Sequence, residues 1–284
     1  MKRKLLVTAI GFLIGSSTQA TIFEWSQDET RIYEEKFNAM EFQCKIAAQD
    51  AFLELQQTYF LPKKDSKVIY EMILEREKRK ATYDYICKIP KERFANKKRI
   101  NELYQDSIDA RILPNNENLA GKNISAVLRF ADKIGITTDS YNQIVNLGLS
   151  TAKNLRKNPR YNYEVEVMDS LRTFLTKEQL VKILRITNIQ PAVDKGIAVW
   201  NEVKAAGLVE NSDSISCCNG AIEYFLQERI INDMFVGHDK VLKKNLSDLR
   251  KQQPLIVRIN DSIKKKEELL RKKEEENNEI TMAW

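Results

Sequence analysis

Few side chains in this sequence have the types and spacing that catalysis needs. The single histidine, His238, is followed by Asp239, and one histidine cannot supply a histidine metal cluster. Adjacent carboxylates such as Glu34 and Glu35 point about 100° apart on a helix, so they do not form a catalytic pair. No P-loop, HExxH or GxSxG motif is present in the sequence. We therefore predict a protein that is not an enzyme and needs no cofactor or metal, with a surface or helix-capping role for His238.

The four cysteines are an even number, which favours disulfides in an oxidising compartment. Cys44 lies about 19 residues before a predicted turn at Lys63, and Cys87 lies about 24 residues after it. On antiparallel helices the two would lie within about 8 Å of the same level, which makes them a candidate disulfide. For Cys217 and Cys218 a bond between neighbours, a link to another region and a link to another chain stay open. No C-x-x-C spacing supports a redox site.

The composition and the apolar periodicity predict an all-α fold. The chain has 9 glycines and 6 prolines in 284 residues, too few for the turns of a sandwich, a barrel or a Rossmann fold. Apolar residues recur at three- and four-residue spacing over long stretches, as on one face of a helix. The predicted architecture is an extended helical bundle with three parts. The first is a long antiparallel hairpin at 21–116, whose second arm Pro90 breaks or kinks. Shorter helices follow at 117–210 and include 177–188 and 191–206, and one long C-terminal helix at 211–284 has a kink at Pro254.

The first twenty residues have the pattern of a secretory signal peptide. A basic start, Met1–Lys4, precedes the apolar run Leu5–Gly15, and small residues stand at Thr18 and Ala20. This order predicts cleavage after Ala20. Neither this run nor any later one reaches the roughly 20 apolar residues of a membrane-spanning helix, so we expect no integral membrane segment in the mature chain. The short basic and apolar parts favour export to a bacterial periplasm.

The charge distribution argues against a nucleic-acid partner. The formal net charge is +6, but the leader holds three of the 46 basic residues and none of the 40 acidic ones. The mature chain is therefore nearly balanced, and mixed charges of this kind are typical of solvated helix faces. The charged segment from Lys264 to Glu276 is expected to be a solvated helix end or a disordered tail, with a basic patch for an acidic partner as the alternative.

The passage Leu175-Thr176-Lys177-Glu178-Gln179-Leu180 predicts the start of a helix. Thr176 would be the N-cap, with its hydroxyl accepting from the backbone of Gln179. The Gln179 side chain would in turn accept from the backbone of Thr176, which completes a capping box. Leu175 and Leu180 would form the hydrophobic staple on either side of it. These residues are expected to stabilise a helix end and to take no part in catalysis.

With this motif the chain resembles the Spy/CpxP-like group of periplasmic helical proteins, named for an L-T-x-x-Q motif that occurs twice. The passage at 163–186 is similar to the second copy. Ile136-Thr137-Thr138-Asp139-Ser140 is similar to the first, with Ile136 in place of leucine and Ser140 in place of glutamine. The resemblance covers about residues 125–190. It implies a helical protein, often dimeric, that binds unfolded clients without ATP or belongs to a stress sensor, with an exposed face that is both apolar and charged.

Two functions from different classes follow from the sequence. The first is an exported chaperone-like or envelope-stress-associated binding protein, which predicts a concave or groove-like apolar surface and suppression of the aggregation of protein clients. The second is a structural or assembly component of a cell-envelope machine. It predicts one dedicated protein partner, with the hairpin and the C-terminal helix as docking rods. A homodimer is compatible with both.

Overall fold

The chain is all-α, as predicted. The computed structural model describes residues 23–209 and 214–282, so the predicted signal peptide at 1–20 lies outside the described residues. Within those ranges the chain forms twelve α-helices, one 3-10 turn and no strand. It divides into two compact units, one that ends at Tyr163 and one that begins at Glu164. The predicted boundaries after residues 116 and 210 are not where this division falls.

The first unit begins with three long helices and continues with shorter ones. Its long helices pack as neighbours in chain order, the first on the second and the second on the third. The bounds are α1 Gln27–Thr58, α2 Lys63–Ile86, α3 Pro90–Ile112, a 3-10 turn Leu113–Asn115, α4 Glu117–Ala120, α5 Lys122–Arg129, α6 Ala131–Ile134 and α7 Thr138–Lys157.

Helices α1 and α2 form the predicted antiparallel hairpin. The rings of Phe52 and Tyr70 meet edge to face with their centroids 5.6 Å apart. Further along, the Lys36 ammonium lies 5.9 Å from the centroid of the Tyr85 ring. Because the residue number falls on α1 as it rises on α2, the two helices run in opposite directions.

Of the break and the kink that the sequence allows at Pro90, the structure has the break, but the chain then turns back and does not extend the second arm as predicted. Helix α2 ends at Ile86, and Pro90 is instead the first residue of α3. Ion pairs then join Lys97 to Asp84 at 2.5 Å and Arg111 to Asp65 at 3.6 Å, so α3 runs back along α2. Proline lacks the N–H that a helix interior needs but fits the first helical position, which is why it starts a new helix here.

Residue 116 is not a boundary between the two units, because polar side chains around it form hydrogen bonds to more distant parts of the same unit. The Asn116 amide accepts from the Phe60 N–H at 2.7 Å and donates to the Phe60 carbonyl at 2.9 Å. The Ser125 hydroxyl donates to the Leu113 carbonyl at 2.7 Å. Gly148 of α7 packs so closely on Leu113 that a Cβ there would lie 2.9 Å from its side chain. Helices α4, α5 and α7 therefore belong to the unit of the long helices.

The second unit contains five helices, of which the second and third pack together most closely. The long C-terminal helix predicted at 211–284 is wrong, because the chain breaks twice there. Gly237, which follows the helix that ends at Met234, adopts a positive φ of 79°. The next helix ends at Lys251, three residues before Pro254. The bounds are α8 Glu164–Phe174, α9 Lys177–Ala205, α10 Ser214–Met234, α11 Asp239–Lys251 and α12 Leu255–Met282.

Helix α9 continues through Pro191, where the sequence predicted an end at 188 and a new start at 191. Proline removes one helical hydrogen bond at this point. The neighbouring side chain of Asn188, which is 1% exposed, spans the weakened turn. Its amide donates to the Leu184 carbonyl and to the Asp233 carboxylate of α10, both at 2.9 Å. Packing of α9 against α10 therefore keeps α9 continuous at Pro191, where the local sequence favours a break.

Candidate protein-binding site

The start of α9 is the capping box that the sequence predicts. The Thr176 hydroxyl accepts from the Gln179 N–H at 3.2 Å, and the Gln179 side chain accepts from the Thr176 N–H at 3.0 Å. Leu175 and Leu180 are both buried, as the staple requires. Two of the backbone N–H groups at this turn are therefore satisfied within the motif, which fixes the point at which α9 leaves α8.

Removing the cap tests how far this motif stabilises the second unit. We expect Thr176→Ala to lower the free energy of unfolding by about 1 kcal/mol, because the Gln179 N–H loses its acceptor. Thr176→Ser retains the hydroxyl and should stay close to wild type. Urea unfolding followed by circular dichroism measures both variants. Equal stability of the alanine and serine variants would contradict a stabilising role for the box.

The second passage that resembles the motif also caps a helix. Thr137 is the N-cap of α7, and its hydroxyl accepts from the Ser140 N–H at 3.2 Å. The Ser140 hydroxyl contacts the Thr137 hydroxyl at 3.1 Å. Ile136 is half-buried before the cap. This passage belongs to the first unit and the Thr176 box to the second, and both act as helix starts.

Below its cap, α9 carries a stripe of exposed isoleucines. Ile186, Ile189 and Ile197 are between 38% and 44% exposed. Their spacing, with the half-buried Val193 between them, places them on one side of the helix. The buried residues of α9 that face away from them include Leu184, Asn188, Ala192 and Val199. We call Ile186, Ile189, Val193 and Ile197 the isoleucine stripe.

One charged pair borders the isoleucine stripe. Arg185 forms two hydrogen bonds with the Glu223 carboxylate of α10, at 3.0 and 2.8 Å. On the far side of α9 from the stripe, Lys195 contacts Glu228 at 3.0 Å and lies 4.1 Å from the centroid of the Phe225 ring. These contacts hold α9 against α10 from both edges of its packed face. The exposed surface therefore combines an apolar centre with a charged pair at one edge, and protein-binding surfaces use apolar and charged groups together in this way.

His238 lies in a polar cluster of the second unit, just before α11. Its Nε2 is 3.1 Å from an Asp169 oxygen and 3.0 Å from the Arg172 guanidinium, and Arg172 also pairs with Asp169. The hydrogen bond from His238 is the main cause that lowers the pKa of Asp169, with the charge of Arg172 contributing. Arg172 also donates to the Met234 carbonyl at the end of α10. The cluster joins α8 to the turn between α10 and α11. His238 is the N-cap residue of α11, but its side chain makes no capping hydrogen bond there and is half exposed, so of the two predicted roles the structure has the surface one.

The candidate disulfide between Cys44 and Cys87 is absent, because all four cysteines are free. The contacts between α1 and α2 place Phe52 opposite Tyr70, so Cys44 lies opposite Lys78. Cys87 is nine residues further along, or about 13 Å at 1.5 Å per residue. A disulfide requires Cα atoms within about 7 Å. The predicted pairing was wrong for two reasons. The hairpin turns between Thr58 and Lys63, before the predicted turn at Lys63, so Cys44 and Cys87 lie further apart along the helix axis. Helix α2 also ends at Ile86, before Cys87.

The four thiols differ in their burial and in the groups that surround them. Burial is the main cause that raises the pKa of the Cys44 thiol, and the charge of Glu77 adds to it. Cys87 accepts a hydrogen bond from the Asn96 amide at 3.5 Å. Cys217 and Cys218 occupy consecutive positions near the start of α10, where their side chains point about 100° apart. Burial, and then the neighbouring Cys217, raise the pKa of the Cys218 thiol.

Across residues 23–209 and 214–282, no three histidine, cysteine or carboxylate side chains lie together as a possible metal site. Over the same part of the chain, no helix has the length and the apolar content to cross a bilayer.

The capping residues could be identified from sequence, but the isoleucine stripe could not. A capping box depends on residues three positions apart, so its pattern is visible in the sequence. Exposure of the isoleucine stripe depends on which side of α9 is covered by α10. The only available signal was the excess of apolar residues on α9, where Leu, Ile and Val occur on more than one side. Comparisons of the chain with family models, with curated proteins and with solved structures give no match.

Proposed function

We propose that this chain is an exported, non-enzymatic helical protein that binds other polypeptides through the isoleucine stripe of α9. The observation that carries the proposal is the exposure of Ile186, Ile189 and Ile197 on one side of a helix whose other side is firmly packed. Exposed apolar residues are ordinary one at a time, but an aligned group with a charged pair at its edge is typical of an interaction surface. The resemblance to the Spy/CpxP-like group supports ATP-independent binding of unfolded clients.

The charged pair at the edge of the stripe supports clients that are partly unfolded. Such chains expose apolar side chains together with charged ones, and the Arg185–Glu223 pair offers both signs of charge beside the stripe. Apolar contact supplies affinity without a fixed sequence, because burial of apolar area is not directional. Charged neighbours keep the surface hydrated when no client is bound. This combination allows reversible binding without an energy source.

An aggregation assay tests this function. Residues 21–284 are mixed, without ATP, with several unrelated proteins that aggregate after dilution from denaturant, and light scattering is followed. We expect suppression at near-stoichiometric amounts. The variant I186Q/I189Q/I197Q should need at least about tenfold more protein for the same effect, since each replacement removes apolar area from the contact.

A matched control keeps the test specific. K182Q/N201Q/K204Q changes three exposed polar residues of the same helix and should suppress aggregation as wild type does. Equal activity of wild type and the stripe variant would contradict binding through the stripe. No suppression of any client by wild type would favour the alternative, a component of a cell-envelope machine with one dedicated partner.

A further inference from the structure

Helix α1 has a second exposed apolar face, which the proposed function does not use. Its buried residues Met40, Cys44 and Ala48 lie toward α2. Phe42, Ile46 and Leu53 are between 45% and 73% exposed. On a helix with 100° per residue these three fall within about 40° of one another and opposite the buried set. The first unit thus presents an aligned apolar edge that none of the described helices covers.

The spacing along this edge is that of a coiled-coil seam. Ala39, Phe42, Ile46, Gln49 and Leu53 are exposed and follow one another at alternating distances of three and four residues. These are the a and d positions of two heptads. A polar residue such as Gln49 at one seam position is a common means of fixing register and the number of strands. We call these five residues the α1 seam.

The charges beside the α1 seam fit a second copy of the same helix. In this heptad Lys45 occupies position g and Asp50 occupies position e, five residues later. In a parallel two-stranded coiled coil, a g residue pairs with the e residue five positions later on the partner helix. Two copies of α1 side by side would therefore form two symmetry-related Lys45–Asp50 pairs. Lys45 is 54% exposed and contacts Glu41 of its own helix at 2.8 Å, so its ammonium already lies at the surface beside the seam.

We infer that two copies of this protein pair in parallel through the α1 seam, with Lys45 of each copy facing Asp50 of the other. The pairing uses the first unit only and does not depend on the isoleucine stripe of α9. The pairing would bury the apolar residues of the α1 seam, which are exposed in a monomer, and would give them a structural role.

Charge reversal tests the pairing and its direction. Sedimentation of residues 21–284 is expected to show a dimer. K45E and D50K should each weaken dimerisation by about tenfold, because each places two like-charged pairs across the seam. The double variant K45E/D50K restores opposite charges and should recover the dimer. A monomeric wild type, or a double variant no stronger than either single one, would overturn the inference.

Cross-linking gives a second readout that does not depend on affinity. Identical seam residues face each other in a parallel pair, so Gln49→Cys should form a disulfide between copies under mild oxidation. Glu54→Cys, an exposed position beside the seam, is the control and should cross-link no more than the native cysteines do. Equal cross-linking of the two variants would also overturn the inference.

Discussion

Arg79→Leu is expected to remove about 3–5 kcal/mol from the free energy of unfolding, because it leaves a buried carboxylate without its partner. Arg79 and Glu29 are 7% and 2% exposed and meet through two hydrogen bonds, at 3.1 and 3.0 Å. The Arg79 guanidinium also donates to the Glu24 carbonyl at 3.4 Å and lies 5.8 Å from the Trp25 ring. One side chain of α2 thus holds the segment that leads into α1.

Glu29 has a second role that makes the loss of Arg79 costly. Its carboxylate accepts from the Ser26 N–H at 2.7 Å and closes the capping box of α1. The carboxylate therefore cannot turn to solvent without giving up the cap. Glu29→Gln combined with Arg79→Leu removes both charges, so the double variant should lose less stability than the sum of the two single losses.

Urea unfolding of residues 21–284, followed by circular dichroism, measures this effect. Lys67→Leu is the matched control, since Lys67 is 82% exposed and its pair with Glu71 is 3.9 Å long. Such exposed pairs contribute about 0–1 kcal/mol. A loss below about 1 kcal/mol in Arg79→Leu would contradict a tightly buried pair.

Gly196→Ala is expected to destabilise the second unit by about 1–3 kcal/mol through overpacking. Gly196 lies where α9 and α10 come closest. An added Cβ would be 2.5 Å from the Ile222 side chain and 3.1 and 3.2 Å from its backbone N and Cα. The side chain could rotate away, but the backbone atoms could not, so the two helices would have to separate.

Gly220→Ala is the control for this prediction. Gly220 lies within α10, and an added Cβ would find its nearest neighbour at 4.0 Å. Alanine favours a helix over glycine, so this change should be neutral or should stabilise by up to about 1 kcal/mol. Thermal unfolding of the two variants should shift in opposite directions or by clearly different amounts. Equal effects would show that α9 and α10 do not approach closely at Gly196.

The fold class and the helix starts could be predicted because they depend on neighbours in the sequence. Apolar spacing identified α1, and the Thr176–Gln179 pair identified the first residue of α9. Hydrogen bonds of this kind span three residues, so the sequence contains both partners.

The errors arose where partners distant in the sequence decide the structure. Pro191 does not end α9, because Asn188 bonds to Asp233 of α10. Pro90 starts a helix that folds back, which the sequence alone did not distinguish from a kink. The predicted disulfide between Cys44 and Cys87 was wrong because the position of each cysteine along the helix axis, relative to the opposite helix, depends on where the hairpin turns. Exposure of the isoleucine stripe also depends on the packing of α9 against α10.

Binding of an unfolded polypeptide is the most direct test of the central claim that the isoleucine stripe binds proteins. The measurement is the fluorescence anisotropy of labelled, reduced and carboxymethylated α-lactalbumin, titrated with residues 21–284 or with I186Q/I189Q/I197Q. We predict saturable binding by wild type and binding at least about tenfold weaker by the variant, a difference of about 1.4 kcal/mol or more. Equal affinities, or no binding by wild type, would contradict the claim.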